Sequence, residues 1–210
     1  MKLRNRWTLT ITALVLAFFA GACAPKPFLK VQYQLPSPSS TLEGKKVTLA
    51  VSDLRAKKTL LSENARMSLK NFNGTFSLVV LREDGSGNLI GVYDLVSLFT
   101  EVFQRRFKNE GIQVAAVADN AMPEIKIEIS KFQLDFAKQK WIVSMNYRAS
   151  LLDKGTPLSK ESVSGEAERL KVMGKSDAEK ILGELLTDMV NKLNLLNLFQ
   201  EARQSSLYRK

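Results

Sequence analysis

Few side chains in this sequence can do covalent or acid–base chemistry, and their spacing narrows the field further. The one sulfur nucleophile is Cys23, directly preceded by three small residues, Ala20, Gly21 and Ala22. The chain has no histidine, which removes His-based triads, imidazole acid–base catalysis and His-ligated metals. Ser62, Ser68 and Ser97 therefore have no histidine base, and no motif marks a Ser–Lys pair. Glu124, Glu128 and Asp135 have the residue type needed for paired proton transfer. Glu124 and Glu128, however, alternate with Ile125, Ile127 and Ile129 and share their face with Lys126, the pattern of the solvent side of a half-buried strand. Gly85, Gly87 and Gly91 miss the spacing of a dinucleotide loop, and no P-loop is present. Asp53 and Arg55 remain, a charge pair at the end of an alternating segment, which either caps a turn or faces a partner. The expectation is a non-enzyme with no cofactor and no metal, with Cys23 as its lipid-attachment site and with Asp53 and Arg55 as a turn cap or, in the alternative, a partner contact.

The thiol's setting gives it a use. Lys2, Arg4 and Arg6 precede an uncharged, mostly apolar run that ends at Ala22. A basic start, an apolar core and a small-residue cleavage site define a secretory signal peptide. The run is shorter than the ~20 residues an α-helix needs to cross hydrocarbon, so a permanent transmembrane helix is the weaker reading. With cysteine immediately after the small residues, the segment resembles the lipobox of bacterial lipoproteins, departing from it in having Ala20 where a branched residue is usual. That resemblance implies cleavage before Cys23 and acylation of its thiol, including palmitate. Two or three chains, at about 0.8 kcal/mol per buried CH₂, anchor a protein durably. The alternative is an ordinary signal peptide that leaves an odd free thiol. Ala24 after the cysteine, by the enterobacterial sorting rule, implies the outer membrane.

The net charge of +10 is compatible with anionic head groups, lipopolysaccharide phosphates or nucleic acid. An exported, tethered chain excludes nucleic acid. The charges are interspersed with acids, as on any solvated basic surface.

The expected organisation is a signal peptide over 1–22, a lipidated cysteine and Pro/Ser-rich tether over 23–45, a domain over 46–203 and a basic tail over 204–210. The tether holds Pro25, Pro27, Pro36 and Pro38 and spans roughly 25 Å as a coil. Within it residues 31–35 alternate and would also suit an edge strand. Residues 46–52 (KVTLAVS) alternate as a strand. Residues 56–74 read as a long irregular arm, and 76–81 (FSLVVL) as a second strand closed by a turn at 84–87. Residues 92–110 carry Val92, Leu95, Val96, Phe99, Val102, Phe103 and Phe107 at helical spacing. Arg105, Arg106 and Lys108 suit that helix's C-terminal end, and Gly111 its stop. A short strand is expected over 112–117. Three strands follow, over 124–136, 141–152 and 161–170, as an antiparallel meander. A phase shift between Ile129 and Phe132 predicts a bulge near Ser130 and Lys131. The Trp141–Tyr147 face is core if covered and a binding surface if not. Ser176 and Glu179 form a capping-box pattern opening one last helix, with Asn191, Asn194 and Asn197 placed to bend it. The fold class is α+β: a two-layer domain, a mostly antiparallel sheet with two long amphipathic helices packed against it.

The segment Val47 to Arg55, the helix with Asp94, Leu95, Glu101 and Val102 closing at Gly111, and the last helix with Leu186, Thr187 and Asp188 together resemble the YajG-type bacterial lipoproteins. Between Arg55 and Tyr93 this chain is longer than that pattern. The resemblance implies an outer-membrane lipoprotein on the periplasmic face of the cell envelope and supplies no catalytic residues. The function expected is a non-enzymatic binding or envelope-assembly module held to the membrane through Cys23, meeting an envelope protein, peptidoglycan or lipopolysaccharide. The alternative is an accessory lipoprotein of a lipid or solute transport system.

Overall fold

The structure, a computed structural model, describes residues 27–115 and 122–207; the expected signal peptide, Cys23 and residues 208–210 lie outside them. The elements run β1 (Leu29–Gln34), β2 (Lys46–Asp53), α1 (Glu63–Ser68), β3 (Phe76–Leu81), β4 (Gly87–Tyr93), α2 (Leu95–Asn109), β5 (Gln113–Val114), β6 (Glu124–Ala137), β7 (Lys140–Asp153), β8 (Thr156–Leu170), α3 (Lys175–Lys192) and α4 (Leu195–Leu207).

The fold is α+β. Its strands form two sheets, β1-β3-β4 and β5-β2-β6-β7-β8. The meander β6-β7-β8 is antiparallel as its alternation predicts, and the bulge falls between Ile129 and Lys131. That one-residue slip keeps Phe132 and Leu134 on the same buried face as Ile125, Ile127 and Ile129. Three pairings are parallel: β1 with β3, and β2 with both β5 and β6. Alternation marks a strand's buried face but not its direction, so these pairings were not legible from pattern alone.

α2 packs over β2, α3 over β1, β7 and β8, and α4 over β8 and β7. Leu95, Leu98, Phe99, Val102, Phe103 and Phe107 form the buried face of α2. Phe99 meets Phe132 edge-on with centroids 5.5 Å apart, and Phe103 meets Tyr147 likewise at 5.5 Å. Trp141, Val143, Met145 and Tyr147 are fully or almost fully buried under the helices, so that face is core. Gly111, with φ at 83°, ends α2 in the left-handed conformation that glycine tolerates best.

Several local expectations change. The tether expected over 23–45 includes β1, whose Leu29, Val31 and Tyr33 are completely buried. The prolines that gave the stretch its linker look flank the strand. The arm over 56–74 contains the short helix α1, N-capped by the Ser62 hydroxyl, which accepts from the Ala65 amide. The helix expected from Val92 begins at Leu95, with the Asp94 carboxylate capping the Ser97 amide at 2.7 Å. Residues 87–93 instead form β4, hairpinned onto β3. The Ser176–Glu179 capping box does not form, because Gly174, not Ser176, is the N-cap of α3, with no side-chain cap, and Glu179 is engaged elsewhere. The single last helix is two, interrupted at Leu193 and Asn194; Asn194 Oδ1 then accepts from the Asn197 amide to open α4. The tail expected over 204–210 is helical as far as Leu207.

Candidate functional site

β2 ends at Asp53, and Arg55 folds back on it. The guanidinium donates from Nε to Asp53 Oδ1 at 2.9 Å and from Nη2 to Oδ2 at 3.0 Å, the two-pronged geometry of a strong pair. Its remaining donors reach the carbonyls of Phe132 and Lys58, both at 3.0 Å. Lys58 Nζ adds a bond to the Asp53 carbonyl at 2.6 Å. Hydrogen bonding from Arg55 holds the Asp53 carboxyl down at about 2. Arg55 is only 7% exposed. The pair thus works as an internal clamp: it turns the chain at the end of β2 and pins it to β6 just past the bulge.

From the clamp the arm runs along the edge of β6 that β2 has left open. Leu61 bridges Leu134 in parallel, the Ser62 amide donates to the Leu134 carbonyl at 3.0 Å, and the Ser62 hydroxyl bonds to Asp135. Two of the sequence's chemical candidates, Ser62 and Asp135, therefore meet, as a cap and its anchor. Ser68 accepts from Lys171 at 3.5 Å. Glu128 pairs with Lys126 on the strand surface at 2.7 Å.

Beneath the arm lies a pocket of ≈ 240 Å³. Leu60, Leu61, Phe72, Phe76 and Leu95 give it an apolar lining, to which Arg55, Lys58 and Arg66 add positive charge. The volume exceeds that of a cavity able to hold benzene, roughly 150 Å³, and falls below the ~300–1,000 Å³ of drug-sized sites. Among the described residues no group of three or more Cys, Asp or Glu side chains is placed to hold a metal.

A second set of polar side chains escaped the sequence reading. β1 is an edge strand, and α3 closes that edge. Glu179 accepts from the Lys30 amide at 2.9 Å, Thr187 accepts from the Gln34 amide at 3.0 Å, and Asn191 donates to the Gln34 carbonyl at 3.0 Å. Asn191 also accepts from the Tyr33 hydroxyl at 2.9 Å. Between them, a Cβ on Gly183 would stand 2.7 Å from the Gln32 carbonyl oxygen. The spacing has a geometric cause: four helical residues advance about 6 Å and two strand residues about 6.6 Å, so positions 179, 183 and 187 keep step with 30, 32 and 34. The available signal was a polar and small stripe at every fourth residue of an otherwise apolar helix.

Arg106, one of the cations at the C-terminal end of α2, is 5% exposed. It donates from Nε to Glu110 at 2.9 Å and from Nη2 to the Leu193 carbonyl at 2.7 Å, which occupies a carbonyl left open where α3 stops. Burial pushes the Tyr33 and Tyr147 hydroxyls well above the ordinary tyrosine range. Tyr147 donates to the Met189 carbonyl at 2.9 Å.

No family model matches the chain, and no curated protein matches it. Among solved structures it is similar to a Xanthomonas campestris protein of the family DUF330, at 15% identity and a TM-score of 0.44, over 84% of this chain and 99% of that one. It is also similar to rare lipoprotein B of Shewanella oneidensis, at 8% identity and a TM-score of 0.42, over 78% and 98%. A minor lipoprotein of Acinetobacter baumannii matches at 16% identity and a TM-score of 0.36, over 79% and 94%. Identities and scores this low transfer no activity, partner or ligand to this chain.

Proposed function

We propose that the protein is a lipid-anchored, non-enzymatic binding or assembly module of a bacterial envelope, attached through Cys23 and facing the periplasm from the outer membrane. The observation that carries this reading is where the fold begins. β1 starts six residues after Cys23 and is held on one side by β3 and on the other by α3. Six residues reach at most about 20 Å, so an acylated Cys23 keeps the domain against the head groups. In support, the signal-like segment ends at the chain's one cysteine, and the histidine-free sequence offers no imidazole base. No described helix is long and apolar enough to cross a membrane. The segments around Val47, Asp94 and Leu186 favour the YajG-type family within this reading. Labelling with a fatty-acid analogue tests it: wild type takes up label and fractionates with membranes, and Cys23→Ser loses both. Crosslinked envelopes from which the protein brings down neither a specific protein nor a glycan would refute the binding role.

The pocket under the arm favours a second reading, an accessory role in lipid or solute transport. Its apolar lining and Arg66 suit one anionic amphiphile, though its size admits only part of a chain. Native mass spectrometry of the purified protein should then show a co-purified lipid; its absence removes this reading.

A further inference from the structure

The described chain starts at one end of the molecule, and that end has an unusual surface. The Pro27 carbonyl accepts from the Asn73 amide at 2.8 Å, and the Phe28 carbonyl accepts from Lys175 Nζ at 2.7 Å. These bonds fix the exit point between the turn before β3 and the first turn of α3. Beside it, the β8–α3 loop carries Val172 at 82% and Met173 at 75% exposure, the two most exposed large apolar side chains among those described, with Leu170 at 60%. Isolated exposed apolar residues are ordinary; here three fall within four positions, at the end of β8 and in the loop that follows it.

The loop is held open by design of its bonds. The Val172 amide donates to the Asp177 carboxylate at 2.7 Å and the Met173 amide to the same oxygen. The Lys171 amide donates to the Gln139 carbonyl at 2.9 Å, and Trp141 Nε1 to the Gly174 carbonyl at 3.1 Å. With the backbone tied down at both sides, the two side chains are presented outward instead of folding back onto the core.

Four lysines lie on the loop and on the segments that adjoin it. Lys171 Nζ lies 4.6 Å above the Phe136 ring and Lys175 Nζ 6.0 Å above Phe28. Lys70 lines the same small depression as Lys175 and Leu29, and the exposed Lys138 sits in the β6–β7 turn that the loop touches. The acids nearby are engaged: Glu168 with Lys140, Asp177 with the loop amides, Glu179 with the Lys30 amide and near Lys175. Exposed apolar side chains with lysines on the same loop and its neighbours match the layering of an anionic bilayer surface, hydrocarbon below and phosphate above.

We propose that this end of the domain is seated on the anionic bilayer surface beside its own anchor, with Val172 and Met173 among the head groups and Lys70, Lys138, Lys171 and Lys175 on lipid phosphates. This rests on the reading that Cys23 is acylated. The anchor then sets more than distance: it brings this one face to the lipid and turns the β3–β4 turn, at the far end of β3, away from it.

The test uses the full chain purified from membranes and reconstituted into vesicles of phosphatidylethanolamine with phosphatidylglycerol. Acylation consumes Cys23, so Met173→Cys supplies a single thiol for an environment-sensitive fluorophore; Val172→Cys is the second reporter and Glu83→Cys, in the β3–β4 turn, the control. The expected result is quenching of about twofold or more by head-group-labelled lipid at 173 and 172, and none at 83. Pure phosphatidylcholine vesicles, or the Lys70→Glu/Lys171→Glu pair, should weaken that quenching. Equal access of aqueous iodide to 173 and 83 in acylated protein overturns the proposal and leaves the anchor standing. A concentration-dependent shift at 173 in detergent alone assigns the patch to a second copy and also overturns it. A Cys23 without acyl mass overturns the proposal and the anchor reading together.

Discussion

Gly183→Ala should destabilise the protein although alanine is the better helix former. The added methyl would lie 2.7 Å from the Gln32 carbonyl oxygen and 3.0 Å from its amide nitrogen, both backbone atoms, where ordinary contact begins at 3.4 Å. The strand cannot yield, because β3 holds its other side. α3 must retreat by more than half an ångström, which strains the bonds from Glu179, Thr187 and Asn191, now at 2.9 to 3.0 Å. Each such bond contributes about 1 kcal/mol net, so weakening three costs about 2–3 kcal/mol, in line with measured overpacking. Alanine returns about 1 kcal/mol of helix propensity. The net expectation is a loss of about 1–2 kcal/mol, or roughly 2–8 °C in Tm for a domain of this size. Gly165→Ala is the matched control. Its Cβ would meet Met189 Sδ at 2.4 Å, but that is a flexible side chain that can swing away, so its expected effect is within about 0.5 kcal/mol. Urea unfolding followed by far-UV circular dichroism measures both, with unchanged slope confirming a stability effect. A Gly183→Ala protein as stable as wild type, or more so, would refute the closed edge.

Three further outcomes follow from the polar contacts. Thr187→Val keeps the shape but leaves the Gln34 amide without its acceptor, and should cost about 1–3 kcal/mol in the same titration. Arg106→Met strips the Leu193 carbonyl and Glu110 of their donor; a loss of about 2–4 kcal/mol is expected, read as a lower urea midpoint. The Asp53 carboxyl is lowered from 3.8 to about 2 chiefly by Arg55, so its contribution is present above about pH 4 and lost as pH falls toward 2. After allowance for solvent at its edge this amounts to about 1–2 kcal/mol. Asp53→Asn should flatten the acid limb of the stability–pH curve; an unchanged limb would place the acid sensitivity elsewhere.

The parts of the fold readable in advance are those where one local pattern decides the outcome. β6 and β7 alternate over long runs, the slip between Ile129 and Phe132 betrays the bulge, and the Phe and Val stripe of α2 has a helical period. β1 was legible as an alternating edge strand over 31–35, but its full burial was not, because that depends on β3, more than forty residues away, and the flanking prolines point to a linker. β4 has no clean alternation and two glycines; it is a strand because β3 offers an edge. Glu179 sits where a capping box would use it, but the Lys30 amide, far away in sequence, has the stronger claim. The Asp53–Arg55 pair was visible as a site and open as to role. Its geometry is that of a clamp, with every guanidinium nitrogen occupied, which the sequence could not show because two of the acceptors are backbone carbonyls.

The closing of β1 by α3 also orders events in time. Strand and helix are separated by about 150 positions, and contacts so remote in sequence form late and slowly. β1 is among the first parts of the domain to leave the ribosome or a translocation pore, yet α3 is among the last. Until α3 arrives, β1 is an apolar segment with an unpaired edge. The newborn chain therefore passes through a period in which its first described strand has an uncovered edge, and only completion of the C-terminal helices ends that period.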